Sequence, residues 1–225
     1  QVQKTFQVLQ GSQTISFTQP ADTALTSGPV ALTATAPGGT VTFSTSSTTC
    51  SVNGSYVTLL HAGSCVISAN QPGSADYTAA PQVQKTFQVL QGSQTISFTQ
   101  PADTALTSGP VALTATAPGG TVTFSTSSST CSITGSSVTL LHVGPCVIAA
   151  DQAGGTDYAA AAQVQKTFQV LQGSQTISFT QPADTALTSG PVALTATAPG
   201  GPVTFSTSST TCSVTASSVT LDRKS

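Results

Sequence analysis

Apolar and polar residues alternate along most of this chain, in short runs bounded by turn-forming residues. In Gln13–Thr18, Ile15 and Phe17 share one parity while Thr14, Ser16 and Thr18 share the other. In Val30–Ala36, Val30, Leu32, Ala34 and Ala36 fall together, opposite Thr33 and Thr35. Val41 and Phe43 flank Thr42, and Val57 and Leu59 flank Thr58. Cys65, Ile67 and Ala69 alternate with Val66 and Ser68, and Val83, Phe87 and Val89 form a last parity set. A period of two is the signature of strands buried on one face only, and no helix-period segment competes with it.

The punctuation agrees. Pro37-Gly38-Gly39 predicts a tight turn, since Pro presets φ and Gly accepts positive φ. Asn53-Gly54 predicts a two-residue type I′ hairpin, which needs φ > 0 at both central positions. The second copy of this turn keeps Gly135 after Thr134, but the third has Thr215-Ala216, where an Ala at positive φ costs about 1 kcal/mol. Lys85 shares the parity of Val83 and Phe87, which predicts either a bulge or an edge strand whose lysine discourages sheet-to-sheet pairing. The edge is the better reading.

These strands recur as a block. Residues 1–47 reappear unchanged from Gln82, and the first 39 of them again from Gln163, so the period is 82 − 1 = 163 − 82 = 81 residues. Such a unit is large enough to own a core, unlike the shorter repeats of solenoids. Six or seven short strands in a unit of that size predict a Greek-key β-sandwich. Following the strands places domain one at 12–91 and domain two at 93–172. Residues 174–221 are then a partial third domain without its last two strands, and 1–11 the final strand of a preceding repeat. The four-residue connection Leu90-Gln91-Gly92-Ser93 predicts a semi-rigid junction. In copy three the repeat breaks after Val219-Thr220-Leu221, so residues 222–225 read as an aberrant tail from truncation or frameshift, and the chain as a segment of something longer.

Composition narrows the function classes. Charged residues are 5% of the chain, the net charge is −2, and Glu, Trp and Met are absent, while Ser and Thr make up about a third. With 38% apolar residues in strand-length runs, this is β-structure with hydroxyl-covered outer faces rather than disorder. Near-neutral charge gives no ground for nucleic acid as a partner, and no apolar run is long enough for membrane insertion as a helix.

The string from Val41 to Tyr77, VTFSTSSTTCSVNGSYVTLLHAGSCVISANQPGSADY, with QTISFTQPAD and GPVALTATA before it, resembles the bacterial immunoglobulin-like repeats of large surface and secreted proteins. The resemblance covers the chain up to residue 221. It implies an all-β fold of tandem Ig-like Greek-key β-sandwiches, the third truncated, serving as a spacer or adhesive stalk. It supplies no catalytic residue.

Cysteine carries the sharpest chemistry. Cys50 and Cys65 are 15 residues apart, Cys131 and Cys146 repeat that spacing, and Cys212 has no partner in the sequence. One pair per whole unit predicts intradomain disulfides in an oxidising compartment, each stabilising by about 3 kcal/mol, with Cys212 an unpaired thiol. Two separate buried thiols per unit is the competing reading. Metal binding is not expected, because two Cys without further Cys or His at ligand spacing do not complete a tetrahedral shell.

His61 and His142 fall in the turn before the second Cys, where a solvent-facing role is expected over a Cys–His catalytic couple. Asp22, Asp76, Asp103, Asp151, Asp157, Asp184 and Asp222 are scattered, without the converging carboxylates of a calcium site. Asp76-Tyr77 and Asp157-Tyr158 follow the Cys strand and have two readings. They form a ligand-contacting tip, or the Tyr closes the end of the sandwich; the second is favoured. Copies one and two differ at thirteen positions, all between residues 48 and 81, around the Asn53 hairpin, the 62–64 turn and the 70–78 loop.

The sequence therefore predicts a non-enzymatic structural repeat without cofactor, exported to the bacterial surface or secreted, with neighbouring repeats of the same chain as partners. Two alternatives stand beside it. One is a glycan- or host-protein-binding module using the loops at 53–56 and 70–78, which offer Tyr56 and Tyr77. The other is an accessory segment of a large secreted hydrolase.

Overall fold

The computed structural model describes residues 1–222 and, among them, is all-β apart from one 3₁₀ turn. Domain one, here bead one, has nine short strands. They are β1 (Ser16–Phe17), β2 (Thr23–Ala24), β3 (Val30–Ala31), β4 (Ala34–Thr35), β5 (Thr42–Thr45), β6 (Cys50–Asn53), β7 (Tyr56–Leu59), β8 (Gly63–Asn70) and β9 (Val83–Leu90), with a 3₁₀ turn at Leu25–Ser27. One sheet runs β2-β9-β8-β5 and the facing one β3-β7-β6, with β1 and β4 paired beside them. The only parallel pair in the bead is β2 with β9.

Alternation dictates this packing. Cys65, Ile67 and Ala69 of β8 are fully buried, as are Phe87 and Val89 of β9, and they face Val57 and Cys50 of the other sheet. Ile15, Phe17 and Leu32 complete the core, and Phe17 and Phe43 tilt against each other with ring centroids 5.3 Å apart. The disulfide Cys50–Cys65 joins β6 to β8 and so ties the two sheets together. Bead two repeats the nine strands as β10 (Ser97–Phe98), β11 (Thr104–Ala105), β12 (Val111–Ala112), β13 (Ala115–Thr116), β14 (Thr123–Ser125), β15 (Cys131–Thr134), β16 (Ser137–Leu140), β17 (Gly144–Asp151) and β18 (Val164–Leu171). Its core is separate, and Cys131–Cys146 ties β15 to β17.

Three local expectations change. Val30–Ala36 is not one strand: Val30–Ala31 pairs with β7, whereas Ala34–Thr35 pairs with β1. Leu32 stays inward through the switch between sheets, so the alternation survives although the ladder does not. The hairpin after Cys50 turns one residue later than Asn53-Gly54 implied. Asn53 pairs with Tyr56, leaving Gly54-Ser55 as the loop, and of the two only Gly54 (φ 59°) has positive φ. The short strand β2, in the QPADTA run, escaped the pattern because it is two residues long.

That run also manages an edge. Strand β9 pairs with β8 along one side but with β2 only at Val89 and Leu90. Upstream, Asp22 Oδ1 accepts the Gln88 N–H at 2.7 Å and Gln19 Nε2 donates to the Thr86 carbonyl at 2.7 Å. Side chains thus satisfy backbone groups that a ladder would otherwise hold, which blunts an open edge. Lys85 lies half-buried on this strand, opposite Ile67.

Bead three is smaller. It has β19 (Ser178–Thr180) paired with β21 (Thr195–Thr197), and a sheet of β20 (Val192–Ala193), β23 (Ser218–Leu221) and β22 (Cys212–Thr215). Among the described residues bead three shows no counterparts of β8 and β9, nor of β2 and β5, which in bead one pair only with those two strands. The whole four-stranded sheet is therefore absent among the described residues. Ile177 is 63% and Phe179 53% exposed, against 7% for Ile96 and Phe98. Ala216 takes φ 54°, the strained conformation its turn demands. Residues 1–10 form no ladder and expose Val2, Phe6, Val8 and Leu9. Of residues 222–225, only Asp222 is among the described residues.

Candidate functional site

The most elaborate polar construction in the molecule lies where bead one meets bead two. The chain leaves β9 at Leu90, passes Gln91-Gly92-Ser93 and enters bead two alongside the loop after β17. Gly92 N–H donates to the Asp157 carbonyl at 2.9 Å, and Ala159 N–H donates to the Gly92 carbonyl at 3.0 Å. Gln91 Nε2 reaches the Gly155 carbonyl at 2.6 Å. Gly92 is buried between Thr26 of bead one and the ring of Tyr158; a Cβ here would lie 2.7 Å from Thr26 Cγ2. Its equivalent Gly11, with no bead before it in this structure, makes the same backbone bonds to the loop at Asp76 and Thr78 but is exposed.

Beneath the linker sits a glutamine network. Gln94 Nε2 donates to Gln152 Oε1 and to the Ala159 carbonyl at 2.7 Å, while Gln94 Oε1 accepts the Gly119 N–H at 2.7 Å. Gln152 Oε1 also accepts the Gly154 N–H at 2.7 Å, and its Nε2 donates to the Gly119 carbonyl at 2.9 Å. Bead one builds the counterpart from Gln13 and Gln71, both buried, except that Gln71 Nε2 turns to the Gly73 carbonyl at 3.4 Å. Two amides thus clamp linker, Pro-Gly-Gly turn and loop into one end-piece. Buried amides are retained only when their donors and acceptors are met. Replacing Gln152 by Ala strands Gly154 N–H and part of Gln94, and should lower the stability of bead two by about 1–3 kcal/mol. Urea denaturation followed through bead-two amides, with bead one as internal reference, measures this; an unchanged midpoint would contradict it.

Across the junction, Asp157 of bead two meets the turn that precedes Cys65 in bead one. His61 Nδ1 lies 2.9 Å from Asp157 Oδ2, and the Ala62 N–H donates to Asp157 Oδ1 at 2.8 Å. The His61 hydrogen bond, then that from Ala62, holds the Asp157 carboxyl below its ordinary value of 3.8. Among the described residues this is the one carboxylate seated against a basic side chain. His61 is therefore not simply a solvent-facing turn residue: its side chain is 62% exposed, yet its ring is engaged by the neighbouring bead.

The remaining sequence candidates divide. Cys50–Cys65 and Cys131–Cys146 are brought together as disulfides and Cys212 is a free, half-buried thiol. Tyr77 and Tyr158 are half-buried with their rings against Gly11 and Gly92, so they close the bead ends. Asp76 is exposed, and Tyr56 is 57% exposed on β7, away from the junction. Among the described residues no three His, Cys, Asp or Glu side chains converge as for a metal ion. Open grooves flank Phe124, one of about 500 Å³, lined by Ser and Thr residues with Phe124, Cys131 and Ile133 and with no charged side chain.

The sequence held a signal for this site that local pattern reading missed. Between the two copies, positions 70, 72, 74, 75 and 78 of the loop differ, whereas Gln71, Gly73, Asp76 and Tyr77 recur as Gln152, Gly154, Asp157 and Tyr158. The repeated four are those with a structural task. The glycine is required because Gly154 sits at φ 79° with backbone where a Cβ would stand. His61 likewise recurs as His142 between changed neighbours at 62 and 64.

No protein-family model matches the chain, and no curated protein matches it in sequence. Among solved structures it is similar to crystal structures of Drosophila N-cadherin. For EC1-4 the identity is 9% over 83% of this chain and 59% of that chain, with TM-score 0.31. For EC1-3 it is 10% over 71% of this chain and 68% of that chain, with TM-score 0.29. The chain thus spans 59% of the length of the first of these.

Proposed function

We propose that this chain is a non-enzymatic spacer segment, a run of disulfide-tied β-sandwiches that holds other parts of an exported protein away from the bacterial surface. The observation that carries this reading is the junction: Gly92 is buried between Thr26 and Tyr158, and hydrogen bonds cross from bead one to Asp157. Such packing opposes the free relative motion expected of beads on a loose tether. The paired cysteines favour an oxidising, extracellular setting. A near-neutral surface rich in Ser and Thr suits a segment that must stay soluble without attracting charged partners.

The binding-module alternative has one observation in its favour, the exposed ring of Tyr56 beside the Gly54-Ser55 turn. Its counterpart in bead two is Ser137, so the ring is not repeated along the array. A glycan array probed with the intact chain separates the two. The spacer reading expects no retained glycan; specific retention that disappears in Tyr56→Ala would replace it with a lectin-like one.

A further inference from the structure

Asp157 holds both sides of the junction at once. Its carbonyl accepts the linker Gly92 N–H, and its two carboxylate oxygens take His61 Nδ1 and the Ala62 N–H. Two contacts from one carboxylate to adjacent residues of the neighbouring bead resist both tilt and rotation about the linker, which a single backbone tether leaves open. We propose that His61 and Asp157 form a releasable latch, which locks bead one to bead two in one orientation while the Asp157 carboxylate is ionised and frees the joint when it is protonated. Resting on the spacer reading, this makes the stiffness of the junction a regulated property.

The surroundings leave those two groups in control. The hydrogen bonds and close packing at the junction come from Thr26, His61 and Ala62 of bead one, the linker 91–94, and Gly119 and residues 152–159 of bead two. Apart from His61 and Asp157, the only titratable side chain among these residues is Tyr158, whose ring lies against Gly92. The direction follows from the carboxyl. Because Asp157 is held below 3.8 in the docked state, docking is favoured above that value and is lost as pH falls through the lowered one. Asp76 supplies an internal control: it occupies the same loop position in bead one, and its carboxylate meets no hydrogen-bond donor among the described residues.

Residual dipolar couplings on the intact chain test this, read at 48–78 and 129–159, where the beads differ in sequence and their signals separate. At neutral pH the wild-type beads should share one alignment tensor, and so should Asp76→Ala. Asp157→Ala and His61→Ala should each give two tensors, with the double variant no looser than either single one. Acidification well below 3.8, through the lowered Asp157 value, should split the wild-type tensor and leave the already split Asp157→Ala tensors unchanged. A single tensor in Asp157→Ala, or in acidified wild type, overturns the latch and leaves a stiff spacer intact. Two tensors in wild type at neutral pH overturn the stiff junction and the latch together.

Discussion

Replacing Cys131 and Cys146 together by Ala should destabilise bead two by about 3 kcal/mol and leave bead one unchanged. The bridge closes 15 residues that contain the whole β15–β16 hairpin, so without it the unfolded chain regains the freedom of that loop. It also joins the two sheets through side chains that are 2% and 0% exposed, so the change thins the core where the sheets meet. The same substitution at Cys50 and Cys65 should act on bead one alone, because the two cores share no residue. Denaturant unfolding resolved by bead measures the difference. Thiol titration of the native chain should find only Cys212 before reduction; all five cysteines reacting would remove the disulfides from consideration.

What was legible in the sequence was whatever has a short period. Alternation placed Cys65, Ile67, Ala69, Phe87 and Val89 inside, and they are among the most buried residues of bead one. The equal cysteine spacing pointed to the bridges that join the sheets. Alternation alone does not say which sheet a strand joins. Val30–Ala36 keeps one inward parity while its two halves pair with different partners, a choice made by tertiary packing. Turn chemistry located the hairpin, but the pairing of Asn53 with Tyr56 moved its loop by one residue.

The junction was the least legible part. Gln13 and Gln71 are 58 residues apart, and His61 and Asp157 are 96 apart, so no local pattern links them. A polar side chain in a turn is the expected surface residue. Only the folded ends, brought against a neighbouring bead, turn such residues into a network. For Gln71, His61 and Asp157 the two copies carry a signal, since the chain varies around them; Gln13 lies in the unchanged block and has none.

A bead is whole only when the strands equivalent to β8 and β9 close it, so the folded unit runs out of step with the echo that begins at Gln1. Bead two has those strands as β17 and β18, with Cys146, Ile148, Phe168 and Val170 buried. Among the described residues of bead three none of the hydrophobic side chains is fully buried, Cys212 is a free thiol, and Phe179 is half exposed. Amides in a small three-stranded sheet with an open apolar face reach water by low-cost local opening, whereas core strands exchange only through larger unfolding. Hydrogen exchange of the native chain measures this bead by bead. Amides of β17 and β18 should be protected by orders of magnitude more than those of β22 and β23. Equal protection across 174–221 and 93–172 would contradict it, and would mean that bead three is closed without those strands.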